Sequence, residues 1–425
     1  MAGDARVIIE GLRSGVPYLD SAGEVVFGRE GSISNMQRLM EAVEQGRPPR
    51  LPAYFFRANY GQGKTHLLYS LRGMARERNW VVSLLTLSKE TPLDRLDYVY
   101  PKLVSETYIP GSRQPGCEKI VSQALGASFV LSEALEMELS PRVMAVLDNL
   151  TGQNVKVEDY SGLLADVSGS FLRLSELKNI HRQNFGKALK LGRSSLREEV
   201  IHYFKLMDWL IRRAGYQGWL ILFDEVELVG KLGRGGRSRA YANIGRFLSG
   251  FLPRTITVWA VASNFESDVV VPRNDREDCP AWLARRPKEE AGVQWCGAAV
   301  DSLLEAVLLD PLPPQKMQSL IGQVLALHQN AYDWQCPFGA PDLYERVMAL
   351  IRTWLTRDAP LRTWVRVTIT VLDIWFQYGE EPTVKQIEDL LDADLAEDGP
   401  DSGEAAAGIE ADEAGQVAIL RQPLF

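Results

Sequence analysis

A glycine-rich turn between residues 58 and 65 constrains this chain more than anything else in it. Ala58-Asn59-Tyr60-Gly61-Gln62-Gly63-Lys64-Thr65 follows the apolar run Ala53-Tyr54-Phe55-Phe56 and precedes His66-Leu67-Leu68-Tyr69-Ser70-Leu71, which reads as a helix. Strand, glycine-rich turn, Gly-Lys-Thr and helix are the layout of a loop that cradles phosphate. Gly61 and Gly63 let backbone N–H groups curl around an anion, and the start of the helix adds its partial positive charge. Lys64 is placed to reach the β- and γ-phosphates of a nucleotide, and Thr65 to hold Mg²⁺. The candidate ATP-contacting residues are therefore Asn59, Tyr60, Gly61, Gln62, Gly63, Lys64, Thr65 and His66. The usual first glycine of the pattern is Ala58 here, which ordinary strand-end dihedrals accommodate. The competing reading is a chance Gly-Lys-Thr in a turn.

A second segment argues against chance. Gly218-Trp219-Leu220-Ile221-Leu222-Phe223-Asp224-Glu225 is an apolar run ending in two acids. A strand buried on both faces is written as a continuous apolar run, and open α/β sheets bind ligands at the carboxyl ends of such strands. Asp224 is the candidate second Mg²⁺ ligand, and Glu225 the candidate base for the attacking water. The alternative is a strand that exits into a solvated acidic turn. The nucleotide reading requires Thr65 and Asp224 to meet, on neighbouring elements of one sheet.

Further strands are expected at Trp80–Leu87 and Ile256–Ala262. Between about 109 and 200 the pattern is helical, with runs at Val121–Leu139, Arg142–Leu150 and Tyr160–Leu177. Lys64 and Asp224 are too far apart for a single strand–helix–strand step. The fold class expected is α/β: a P-loop NTPase sheet, parallel and flanked by helices, with a helical insertion and a C-terminal helical lid. The division is a lead-in segment 1–50, core 51–108, insertion 109–200, core 201–310, lid 311–387 and tail 388–425. Helices are expected at Ile33–Val43, Glu198–Ala214, Arg237–Phe251, Gln315–Asp333, Asp342–Thr356 and Thr363–Tyr378, and residues 265–300 read as irregular. The helix at 33–43 either walls an adenine pocket or simply packs.

Two polar residues extend the site. Asn264, after Ser263 at the end of the Ile256–Ala262 strand, can contact a γ-phosphate and its water, or be a plain turn residue. Arg362, following Pro360-Leu361, can reach phosphates from the lid, or lie on the surface; Arg366 is a weaker candidate. Arg237, Arg239, Arg246, Arg285 and Arg286 are candidates for an arginine donated to a neighbouring subunit, with the pair Arg285-Arg286 best placed; the alternative for each is a solvated surface charge.

Charge is informative only when divided. The net charge is −8, but eleven acids and no Lys or Arg lie between Glu388 and Glu413, so the remaining chain carries +3. Such an acidic, low-complexity tail reads as disordered, and its apolar tip Val417–Phe425 as a possible docking peptide. Cys117, Cys279, Cys296 and Cys336 show no C-x-x-C spacing and imply neither zinc nor a disulfide framework. No apolar run reaches membrane-span length and the first residues lack a signal-peptide core, so a cytoplasmic protein without a membrane partner is expected.

Several segments resemble one family. Ile9-Glu10-Gly11-Leu12-Arg13-Ser14-Gly15-Val16-Pro17, Tyr60–Leu67 with Ser88-Lys89-Glu90-Thr91-Pro92-Leu93, Gly215–Glu227 and Leu309-Asp310-Pro311-Leu312 are similar to the ATP-binding-domain proteins of bacteriophage-exclusion (BREX) defence islands, which are AAA+-like P-loop ATPases. The resemblance implies ATP at Gly61–Thr65, Mg²⁺ at Thr65 and Asp224, and catalysis by Glu225. It also implies a homo-oligomer working in antiviral defence beside other island proteins, with DNA as a possible partner. The function expected is Mg-dependent ATP hydrolysis that drives or switches a defence complex. The alternative is a slow-turnover ATP-binding scaffold that recruits a partner through its tail. A small-molecule kinase is disfavoured, because Glu225 suits activation of water.

Overall fold

The apolar runs at 53–58, 81–86, 219–224 and 255–262 lie side by side because each is shielded on both faces. The computed structural model describes residues 2–13, 29–47, 49–126, 137–152, 155–192, 194–354, 359–383 and 385–387. Its strands are β1 (Ala53–Ala58), β2 (Val81–Thr86), β3 (Thr107–Tyr108), β4 (Trp219–Asp224), β5 (Thr255–Ala262) and β6 (Val307–Leu308). They form one sheet in the order β3-β2-β4-β5-β1-β6. β3 runs antiparallel at one edge; all other pairings are parallel.

The helices are α1 (Ala2–Arg13), α2 (Glu30–Glu44), α3 (Lys64–Glu77), α4 (Leu96–Ser105), α5 (Glu118–Ala124), α6 (Pro141–Leu150), α7 (Val157–Ala165) and α8 (Leu174–Phe185). They continue as α9 (Leu196–Arg213), α10 (Arg234–Leu248), α11 (Asp275–Ala284), α12 (Gly292–Leu304), α13 (Pro314–Tyr332), α14 (Ala340–Trp354) and α15 (Leu361–Tyr378).

Side-chain alternation divides the sheet into two apolar faces. Tyr54, Phe56, Val82, Leu220, Leu222 and Val258 pack with α2 and α3. Phe55, Val81, Trp219, Ile221, Phe223 and Trp259 pack with the helices of the other layer. On that face Trp259 stacks on Phe223, with centroids 4.1 Å apart and planes 8° apart, and lies 6.1 Å from Phe55. This ties the three central strands together through their largest side chains.

Region 109–200 is helical, as its pattern indicates, yet it shares its core with the sheet. Val143, Leu163, Leu177 and Ile180 belong to the same buried cluster as Trp219. The run Tyr160–Leu177, expected as one helix, is broken at Asp166–Ser170. Gly169 takes φ 97° there, and a Cβ at that position would collide with Pro101. Buried Asp166 accepts hydrogen bonds from Arg142 Nη2 (3.1 Å), the Leu172 amide (2.7 Å) and the Tyr203 hydroxyl, which hold the break closed. The Val121–Leu139 run becomes α5 over Glu118–Ala124, and residues 127–136 lie outside the described residues.

Residues 265–300, read as irregular, are largely helical: α11 and α12 lie there. Their Pro and charge content misled because tertiary anchoring holds α11 together although Pro280 inside it removes one helical N–H and crowds the preceding turn. Fully buried Cys279 and nearly buried Leu283 anchor the helix, as does the Arg237–Asp275 ion pair at 2.8 Å.

A second core lies in the C-terminal helices. Ile321, Val324, Val347, Ile369 and Leu372 pack together, and Ala5 and Ile9 of α1 pack with them. The lead-in 1–50 is thus shared out: α1 joins the C-terminal helices while α2 covers the sheet. Arg13 grips Asp373 with Nε and Nη2 at 3.1 and 2.8 Å. The indole of Trp334 donates to His328 Nδ1 at 2.9 Å, which leaves Nε2–H to donate to Asp373 at 3.0 Å. Ser14–Pro17, Phe27-Gly28 and the acidic tail from Glu388 with its Val417–Phe425 tip lie outside the described residues.

Candidate functional site

β1 ends at Ala58, the chain turns through residues 59–63, and α3 begins at Lys64. Gly61 and Gly63 have φ of 71° and 87°, the left-handed region in which glycine is unstrained. Their turn aims the loop amides and the first turn of α3 at the carboxyl end of the sheet, where an anion is favoured.

From Lys64 the helix crosses the sheet face over β4 and β2. This crossing is why Thr65 meets Asp224: Thr65 Oγ1 donates to Asp224 Oδ2 at 2.9 Å. The two parent strands are not neighbours, as the sequence reading had required; β5 lies between β1 and β4. The meeting is made by the helix across the sheet, not by strand pairing.

Asp224 is 3% exposed. Burial raises its pKa, opposed by the hydrogen bonds from Thr65 and from the Glu225 amide at 3.0 Å. Glu225 adopts φ 60°, ψ 36°, a left-handed conformation costing a non-glycine residue roughly 1–2 kcal/mol. The turn throws its carboxylate out of the strand line into a partly buried position. Burial, then the charges of Glu227 and Asp224, raise its pKa above the ordinary 4.5. Both carboxylates thus hold protons more tightly folded than unfolded. Their ionisation as pH rises costs folded stability, which a bound cation would return. A hydroxyl and a carboxylate are hard oxygen donors that suit Mg²⁺, which retains water and phosphate as its other ligands.

Lys64 is 8% exposed. Its ammonium lies 3.5 Å from the Ala58 carbonyl and 3.5 Å from Glu227 Oε1. The Ser263 hydroxyl donates to the Asn59 side chain, and the Ser263 amide donates to the Ala58 carbonyl at 3.1 Å, so the end of β5 braces the loop. Asn264, the candidate γ-phosphate contact, is exposed and turns its amide to Asp268 at 2.6 Å. Tyr60 and Thr65 are exposed; Gln62 is buried and His66 half-buried.

Arg362 reaches the loop through its backbone. Its amide donates to the Gly61 carbonyl at 3.1 Å, and its Nη1 lies 3.5 Å from the Tyr60 hydroxyl. Pro360 packs so closely that a Cβ on Gly61 would sit 2.7 Å from the proline Cβ. Gly61→Ala is therefore expected to displace the start of α15 and weaken ATP binding about tenfold, from left-handed strain plus the clash. A binding titration beside a thermal unfolding curve checks this.

Arg237 is committed to Asp275 inside the core. Arg246 lies over Trp295 at 4.8 Å, and Arg286 over Trp282 at 3.5 Å. Arg239 sits 3.7 Å from both Asp94 and Glu289, whereas Arg285 is exposed. Two residues at the site escaped the sequence reading of its chemistry. Glu227 is one, signalled only by its place two residues after Glu225. Arg29 is the other; its guanidinium donates to the Gln62 carbonyl at 3.1 Å and the Asp310 carbonyl at 2.8 Å. Among the described residues no group of three or more His, Cys, Asp or Glu forms a metal cluster, and no helix is long and apolar enough to cross a membrane.

The model of one family, described as BREX system ATP-binding protein BrxC/D, matches residues 2–134 and 182–388. None of the curated proteins matches. Among solved structures, a Walker-type ATPase of Pyrococcus abyssi is similar over 88% of this chain and 75% of its own, at 13% identity and a TM-score of 0.36.

Proposed function

The chain belongs to the BREX system ATP-binding protein BrxC/D family, and from that premise we propose that it hydrolyses ATP with Mg²⁺ to drive or switch an antiviral defence complex. The observation that carries the reading is the 2.9 Å contact of Thr65 Oγ1 with Asp224 Oδ2, beside a nearly buried Lys64. The loop amides and Lys64 bind the phosphates. Thr65 and Asp224 are the residues that would hold Mg²⁺, which neutralises phosphate charge when bound. Glu225 takes the proton of the attacking water.

A base must be unprotonated to act, so turnover falls as pH drops through the Glu225 pKa. That pKa is raised, so the acid limb of the rate profile is expected above the pH at which an ordinary glutamate titrates. Steady-state turnover across pH, with Mg²⁺ or with EDTA, checks both points. EDTA is expected to abolish turnover; full activity in EDTA would remove the Mg²⁺ assignment. The same assay with single- or double-stranded DNA, together with a solution mass, tests the proposed DNA partner and homo-oligomer. Other defence-island proteins are the remaining proposed partners. The close seating of Pro360 on Gly61 favours a second reading, a slow-turnover ATP-bound scaffold, which the absolute rate distinguishes.

A further inference from the structure

Among the described residues, Glu227 is the one acid that forms an ion pair with the lysine of the loop. Its Oε1 lies 3.5 Å from Lys64 Nζ, while its Oε2 accepts the Ala262 amide at 3.0 Å. Ala262 is the last residue of β5 and pairs with Ala58, the residue from which the loop springs. Glu227 itself belongs to the short helical turn Val226–Lys231 that follows Glu225 and packs on β5. One carboxylate therefore joins three parts of the site: the lysine, the acid-bearing turn, and the strand end whose Ser263 holds Asn59.

The two oxygens have different tasks. The Ala262 bond needs only an acceptor and can persist whatever occupies the loop. The Lys64 contact is a charge pair, and an ammonium that turns to β- and γ-phosphates must leave it. The pair is mostly withdrawn from water, so breaking it is not screened away as an exposed pair would be.

Resting on the nucleotide-site reading above, we infer that Glu227 is a positioning residue: it holds Lys64 in the nucleotide-free protein, competes with phosphate for that ammonium, and recaptures it to hasten product release.

Glu227→Gln separates these tasks, since the amide oxygen can still accept from Ala262 while the charge is gone. Titration with ATP and with ADP, each with Mg²⁺, is expected to show roughly 5- to 20-fold tighter binding, the range for a partly buried charge pair. The ADP dissociation rate is expected to fall by a similar factor. A residue with only a structural role would give weaker binding and no slowing of ADP release. Glu227→Asp, too short to span both partners, is expected to tighten binding less, and it replaces the amide variant if that one fails to fold. Unchanged or weaker binding by a folded variant overturns the inference. Failure of the wild-type protein to bind ATP at all would instead sink the nucleotide site itself.

Discussion

Lys64→Ala is expected to remove measurable ATP binding, lowering affinity by roughly 100- to 1000-fold. The ammonium would supply charge-assisted bonds to two phosphates, each about 1.5–3 kcal/mol, and about 1.4 kcal/mol is tenfold in affinity. The truncation does a second injury, because Glu227, 3.5 Å from Lys64, then faces the phosphates uncompensated. Titration with ATP and Mg²⁺, beside an unfolding curve showing the variant still folded, is the measurement. Affinity within threefold of wild type would show that the loop does not hold the triphosphate.

The second large effect belongs to Glu225→Gln. Binding is expected to stay within a few-fold of wild type, or tighten slightly, since a charge close to Asp224 disappears. Turnover is expected to fall by about 10²- to 10⁴-fold, the usual contribution of a positioned base. Glutamine meets the same left-handed strain at this position as glutamate does, so any change in unfolding temperature is expected to be small. Single-turnover hydrolysis distinguishes lost chemistry from slowed release. Turnover within a few-fold of wild type would remove Glu225 from the reaction.

The strands that build the site were readable because burial on both faces writes an uninterrupted apolar run, as in Trp219–Phe223. The loop was readable because Gly61 and Gly63 need conformations that few other residues tolerate. The strand order was not readable. That β5 separates β1 from β4 depends on which helix crosses which strands, and local pattern does not record it. α11 was missed because Pro280 and its charged first turn resemble a loop, while the partner that anchors its Asp275, Arg237, comes from a different helix. The allegiance of α1 was hidden for the same reason, since its partners lie more than three hundred residues downstream. Glu227 was quoted only as part of a family resemblance, because its chemistry lies in bonds to Lys64 and Ala262 that only folding creates.

The clasp between Arg13 and Asp373 has a consequence for synthesis. The two residues are 360 positions apart, so at about 5–20 residues per second a ribosome needs roughly 20–70 s to pass from one to the other. For most of that interval the apolar stripe of the first helix, Ala5 and Ile9, waits without its companions, which begin to appear only with residues 317–325. The helix that will touch Gly61 is also still unmade, so the nucleotide cradle has no cover. A nascent chain can build its sheet early, but it cannot finish the pocket until translation has passed residue 373, and in the meantime that first helix is an obvious place for a chaperone to hold.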